Sequence, residues 1–183
     1  DDIGHCSHNT DVTMKALQSS YKLKDDKIDA PEMYLGASVA KKMINGVECW
    51  TMSSDKYVKA AIENVDQKLG ERGLRLQSKC PTPMTSGYRP ELDSTAELSA
   101  SDARYYQELI GVLRWAIELG RVDIMTEISM LSTYLALSRT GHLEQVYHVF
   151  GYLKKYERST MVFDDSEPSF DLKTLSQMRL ERA

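Results

Sequence analysis

Asn45-Gly46 stands between two short apolar-rich runs, Tyr34 to Val39 with its continuation and Val47 to Met52. Both central residues of a two-residue hairpin turn need positive φ, which Asn and Gly tolerate best, so this pair predicts an antiparallel hairpin. A helix follows at once. Ser53 or Ser54 serves as its cap, and Tyr57, Val58, Ala61, Ile62, Val65 and Leu69 recur at the 3.6-residue period of one buried face. Gly70 and Gly73 end it.

The flanking segments are less regular. Ile3 to His8 reads as a short strand. Asn9 or Thr10 then caps a short helix carrying Val12, Met14, Ala16, Leu17 and Tyr21, and Lys24 to Pro31 is polar and turn-like. Between residues 78 and 100, Pro81, Pro83, Gly87 and Pro90 interrupt any period, which predicts an extended crossing segment and a lobe boundary. Three helices follow. The first runs from about Ser101 to Glu118, the second carries Ile124, Ile128, Leu131 and Leu135, and the third starts near Gly141 and carries Leu143, Val146, Tyr147, Phe150 and Leu153. Met161 to Phe163 opens another strand, and Asp171 to Ala183 reads as a poorly anchored tail. The fold class expected is α+β, mostly helical.

Composition narrows the function classes. The 23 basic and 27 acidic side chains give a net charge of −4. Residues 1–80 hold 12 of each sign, so neither half is the basic surface of a self-sufficient nucleic-acid binder, and such contacts must come from local patches. No apolar run is long enough to span a bilayer. Three cysteines, Cys6, Cys49 and Cys80, suit a reducing, intracellular compartment better than a disulfide framework. The first residue is Asp1 rather than Met, which suggests a fragment or a processed product.

Several residues could carry chemistry. Asp1-Asp2 could hold magnesium for phosphoryl transfer, because hard cations take oxygen ligands; an Asp pair at a chain end is more often a solvated terminus. His5-Cys6-Ser7-His8 offers too few ligands for structural zinc and reads as a polar strand edge. Cys6, Cys49 or Cys80 could form a nucleophile pair with His142 if the fold brought them together. Arg121 and Asp123, between two apolar helices, could face a substrate but better suit a junction ion pair or cap. Lys154, Lys155 and Arg158 end a helix, where positive charge complements the dipole or could touch phosphates. Phosphate-cradling glycine loops, acyl-transfer serine motifs and dinucleotide fingerprints do not occur.

The ordered series of segments resembles the reverse transcriptase of copia-type retrotransposons from its catalytic turn onward. Asp1-Asp2 and Ser7-His8-Asn9 resemble the second half of that family's Tyr-Val-Asp-Asp turn and its departing strand. Tyr34-Leu35-Gly36 is similar to the primer grip, Met52 to Val58 to the entry of the thumb, and Thr82-Pro83-Met84 to the Thr-Pro-Leu that follows. Leu109 to Leu113, Arg121-Val122-Asp123-Ile124, Leu131-Ser132, His142-Leu143 and Tyr152-Leu153-Lys154 fall in the family's order and spacing. Val122 stands where the family often has Pro, and residues 166–183 do not continue into a recognisable ribonuclease H domain.

The resemblance implies a partial palm with a primer-grip hairpin over residues 1–52, then a thumb helix and extended linker over 53–100. A three-helix thumb and connection unit would cover 101–158, and 159–183 would be a tail where a truncated ribonuclease H region begins. It also implies that Asp1 binds magnesium and Asp2 supports it in the intact RNA-directed DNA polymerase. Tyr34, Leu35 and Gly36 would lie near the primer end, and Lys56, Lys59, Lys154 and Lys155 would meet an RNA/DNA template-primer duplex, with deoxynucleotides as substrates. The expected location is the cytoplasm, within a virus-like particle, or the nucleus. Two-metal nucleotidyl transfer needs carboxylates from more than one strand, so the chain alone is expected to be inactive. The alternative is a non-catalytic module, retained from a decayed element, that binds nucleic acid or protein.

Overall fold

The computed structural model describes residues 9–22 and 30–163. These form five α-helices and one four-stranded antiparallel sheet, an α+β fold. The strand expected at Ile3 to His8 and the tail at Asp171 to Ala183 lie outside the described residues.

Helix α1 (Thr10–Ser20) begins after Asn9 and buries none of its residues. Strand β1 (Met33–Tyr34) turns through Leu35-Gly36 into β2 (Ala37–Ile44), and Asn45-Gly46 returns the chain as β3 (Val47–Ser53). The Asn45-Gly46 turn has φ of 51° and 86°, the positive pair that the sequence pattern requires. The hairpin register runs from Ser38 opposite Ser53 to Ile44 opposite Val47. The far strand is not left bare: β4 (Thr160–Phe163), as expected from Met161 to Phe163, pairs antiparallel with β3.

Helix α2 (Asp55–Glu71) buries Val58, Ile62, Val65 and Leu69, the face read from its period. Ser54 stands at its N-cap position with a hydroxyl that is buried without a partner, and the preceding Ser53 supplies the side-chain bond, its Oγ accepting from the Asp55 N–H at 3.3 Å. Gly70 lies within the last turn. The stop comes at Gly73, with φ of +71°, beside a Leu74 N–H to Leu69 carbonyl bond that closes the helix end.

Helix α3 (Ala100–Glu118) is capped by Ser99, which accepts from the Asp102 N–H at 3.2 Å. A short 3-10 turn at Val122–Ile124 leads into α4 (Met125–Ser132), and α5 is Thr140–Lys155. Leu135 falls beyond the end of α4. Helices α2, α3, α4 and α5 share one apolar core that includes Tyr106, Ile110, Leu113, Ile128, Val146 and Phe150. The Tyr106 hydroxyl donates to the Leu131 carbonyl at 2.6 Å, which satisfies the one polar atom that this ring brings inside.

The crossing segment between residues 78 and 100 does not separate two cores. The core continues across it from α2 to α5, and both its ends are tied down. The Leu76 N–H donates to Asp66 at 3.1 Å, and the Leu98 N–H donates to the Ser138 carbonyl at 3.0 Å. Prolines remove the periodicity of this stretch without freeing it from the helices that it crosses.

Candidate nucleic-acid interface

Tyr34-Leu35-Gly36 forms a tight turn in which Leu35 has φ of 51° and Gly36 has φ of 95°. Leucine enters this region only against the clash of its Cβ, so the turn stores strain at an exposed position. A Cβ at Gly36 would be in ordinary contact with Leu119, at 3.9 Å from its Cδ1, so the turn rests on the end of α3. Next to it, Ala37 is fully buried.

Strand pairing sets what lies near this turn. Ser38 pairs with Ser53 and Ser53 with Thr160, so the Leu35-Gly36 turn, the first turn of α2 and the start of β4 occupy one end of the sheet. The Asn45-Gly46 turn is at the other end. Lys56 and Lys59, three residues apart on α2, are exposed on one side of that helix. The Ser159 N–H donates to the Asp55 carboxylate at 2.9 Å, which brings the chain beside Arg158 to the same end.

The two lysines at the end of α5 differ. Lys155 is exposed and lies 5.0 Å from the Tyr156 ring centroid. Lys154 is half-buried and paired with Asp66 of α2. Burial pushes the Asp66 carboxyl up, but the Lys154 ammonium and the Leu76 N–H outweigh it, and the net effect is a lowered pKa. Lys154 therefore ties α5 to α2, and of the four lysines expected to meet a phosphate backbone, Lys56, Lys59 and Lys155 are the exposed ones.

Asp1 and Asp2, the expected magnesium ligands, lie outside the described residues, as do His5, Cys6 and His8. Among the described residues, no three His, Cys, Asp or Glu side chains gather into a metal-holding group. Among them, too, no helix is long and apolar enough to cross a membrane.

Among the described residues, His142 does not meet a cysteine. Its buried ring accepts the Arg139 N–H at Nδ1 (3.1 Å), places Nε2 3.1 Å from the Pro90 carbonyl oxygen and stacks on Tyr134. The imidazole beside Cys80 belongs to His148, with Nδ1 3.6 Å from Sγ and Nε2 3.0 Å from the Thr82 carbonyl oxygen. Burial pushes the Cys80 thiol up, which keeps it protonated and a poor nucleophile. Sequence reasoning passed over His148; the local signal for it was Gly151 one helical turn later, which marks a close approach to α5.

Arg121 and Asp123 form the junction pair expected of them. Arg121 is 1% exposed, and its Nε and Nη2 donate to the two Asp123 oxygens at 2.9 and 2.8 Å. Its Nη1 donates to the Tyr156 carbonyl at 2.8 Å, and the Tyr152 hydroxyl donates to Asp123 at 3.0 Å. The pair fastens the α3–α4 junction to the end of α5, and all the guanidinium nitrogens are used there. No family model, no curated protein and no solved structure matches the chain.

Proposed function

We propose that the chain is the portion of a copia-type reverse transcriptase that positions a template-primer duplex, in a parent enzyme that is a magnesium-dependent RNA-directed DNA polymerase. The observation that carries the reading is the exposed, strained Tyr34-Leu35-Gly36 turn at the same sheet end as the first turn of the lysine-bearing α2. A primer grip followed by a thumb helix would need this neighbourhood. The sheet would then be part of the palm, α2 the thumb helix, and α3 to α5 the connection towards the next domain. Lys56, Lys59 and Lys155 would contact phosphates. Tyr34 would pack against a terminal sugar or base.

Magnesium, when held by Asp1 and Asp2, would supply charge neutralisation for nucleotidyl transfer. The described residues position the duplex; they do not carry the transfer itself. The chain alone is expected to show no primer extension.

The test is binding of the intact chain to an RNA/DNA primer-template across a range of salt. Affinity should fall steeply with salt, and Lys56→Ala with Lys59→Ala should reduce the logarithmic slope by about 2, roughly one for each phosphate no longer neutralised. Absent or salt-insensitive binding would overturn the reading in favour of a protein-binding module. Magnesium-dependent extension by the chain alone, abolished by Asp1→Asn, would show that the catalytic site is more complete than proposed.

A further inference from the structure

Residues 77–95 contain a single turn of regular structure, Pro90–Leu92, yet they lie along α5 in two glycine notches. A Cβ on Gly151 would collide with the Gln77 carbonyl oxygen and come within 2.9 Å of the Cys80 sulfur. A Cβ on Gly141 would collide with the Asp93 carboxylate. Only the absence of side chains at these two helix positions lets the segment lie so close.

The ends of the segment and its middle are held differently. At its far end, backbone pairs join Leu98 to Ser138 and Thr140 to Ala96, both at 3.0 Å. At its near end, Leu76 is buried in the helical core and bonded to Asp66. Between these anchors, the bonds to α5 run through side chains. Gln145 Oε1 accepts the Thr85 N–H at 3.0 Å, and His148 Nε2 and His142 Nε2 lie 3.0 and 3.1 Å from the Thr82 and Pro90 carbonyl oxygens. The Gly141 N–H donates to Thr95 Oγ1 at 2.9 Å. Cys80 and Pro90 are buried under this clasp outside the apolar core, and of the segment's side chains Met84 packs against that core, partly buried.

A segment that lends the core one partly buried side chain, Met84, and is otherwise fastened by a few side-chain bonds opens as a separate unit. We propose that residues 77–95 are a strap that lifts from α5 as a unit while the four-helix core stays folded. Lifting exposes the Cys80 thiol. It also widens the open groove of about 520 Å³ whose walls include Leu69, Leu74, Gln145 and His148 on one side and Gln77 and Thr85 of the strap on the other. The inference is independent of the polymerase reading.

The test uses the full chain and iodoacetamide, with Cys80 modification read by peptide mass spectrometry at urea concentrations below the unfolding transition. Far-UV circular dichroism is followed in parallel. Cys80 should be labelled through an opening that is nearly insensitive to low urea and more frequent than global unfolding. Gly151→Ala should speed Cys80 labelling by about tenfold or more with the helical signal intact. Gln145→Ala removes one clasp without a steric clash and should speed it by a few-fold; it decides the matter if Gly151→Ala does not fold. The proposal is overturned if Cys80 labelling follows global unfolding at every urea concentration. It is equally overturned if native Cys80 reacts at the rate of the unfolded chain, or if both variants change labelling only in proportion to global stability.

Discussion

The helical core and the sheet are built to different degrees of completeness. Helices α2 to α5 bury apolar faces against one another, down to side chains such as Phe150 and Leu131 that have no exposed surface. In the sheet, by contrast, only Ala37, Cys49 and Thr51 are buried, while Met43 is 66% and Phe163 51% exposed. The difference follows from geometry. A helix hides its apolar stripe by meeting one neighbour, whereas a sheet must be covered across a whole face. Here the sheet meets α2 and the end of α3. Stability should therefore reside in the helices, and the sheet should carry exposed, adaptable surface.

The sharpest way to break that comparison is a cavity. Phe150→Ala should cost about 3–5 kcal/mol in urea unfolding, because it empties a fully buried site. A loss under about 1 kcal/mol would mean that the helices are not the stable half. Arg121→Ala comes next, at about 2–3 kcal/mol: it strips the Tyr156 carbonyl of a buried donor and leaves a partly buried Asp123 without its cation. Lowered stability with unchanged duplex binding is expected, and a loss of binding alone would assign Arg121 to the interface instead.

Acid should act through the same half. The Asp102 carboxyl is held down by its bond to Arg72; for Asp66, Asp93 and Asp123, burial pushes upward but bonded partners win, and all four lie below the usual value of 3.8. A carboxyl whose pKa is lower folded than unfolded stabilises the fold above the unfolded value. That contribution is lost as pH falls through the folded value. Thermal stability should hold above about pH 5 and decline below about pH 4, with the decline softened in Asp66→Asn. A flat profile would show that these carboxylate bonds contribute nothing.

The sheet's own predictions are smaller. Leu35→Gly should stabilise by about 1 kcal/mol by releasing the Cβ strain at positive φ. If Leu35 serves the primer end, the same change weakens duplex binding. Met43→Ser, at an exposed site, should alter stability by less than about 0.5 kcal/mol, and a larger loss would reveal cover on that face.

Legibility divides along similar lines. The Asn45-Gly46 turn, the α2 face and the ends of α3 and α5 could be read from residues, because each depends on φ preference, capping or a period within one segment. The Lys154 pair with Asp66, the Cys80 approach to His148 and the seating of residues 77–95 on Gly141 and Gly151 could not. Each joins residues far apart in the chain, and nothing local to either partner specifies the other. Lys154 shows the consequence: at a helix end it reads equally as a phosphate ligand and as a dipole partner, and the tertiary structure commits its charge to α2.

Local chemistry thus determined the elements of this protein and their order: one hairpin, one amphipathic helix after it, three more helices and a late strand. Tertiary packing decided which charges stay free for a ligand, which cysteine meets which histidine, and that a proline-rich crossing belongs to one core. The reason is range. Backbone preference and periodicity act over a few residues, whereas burial and ion pairing depend on which surfaces the whole chain brings together.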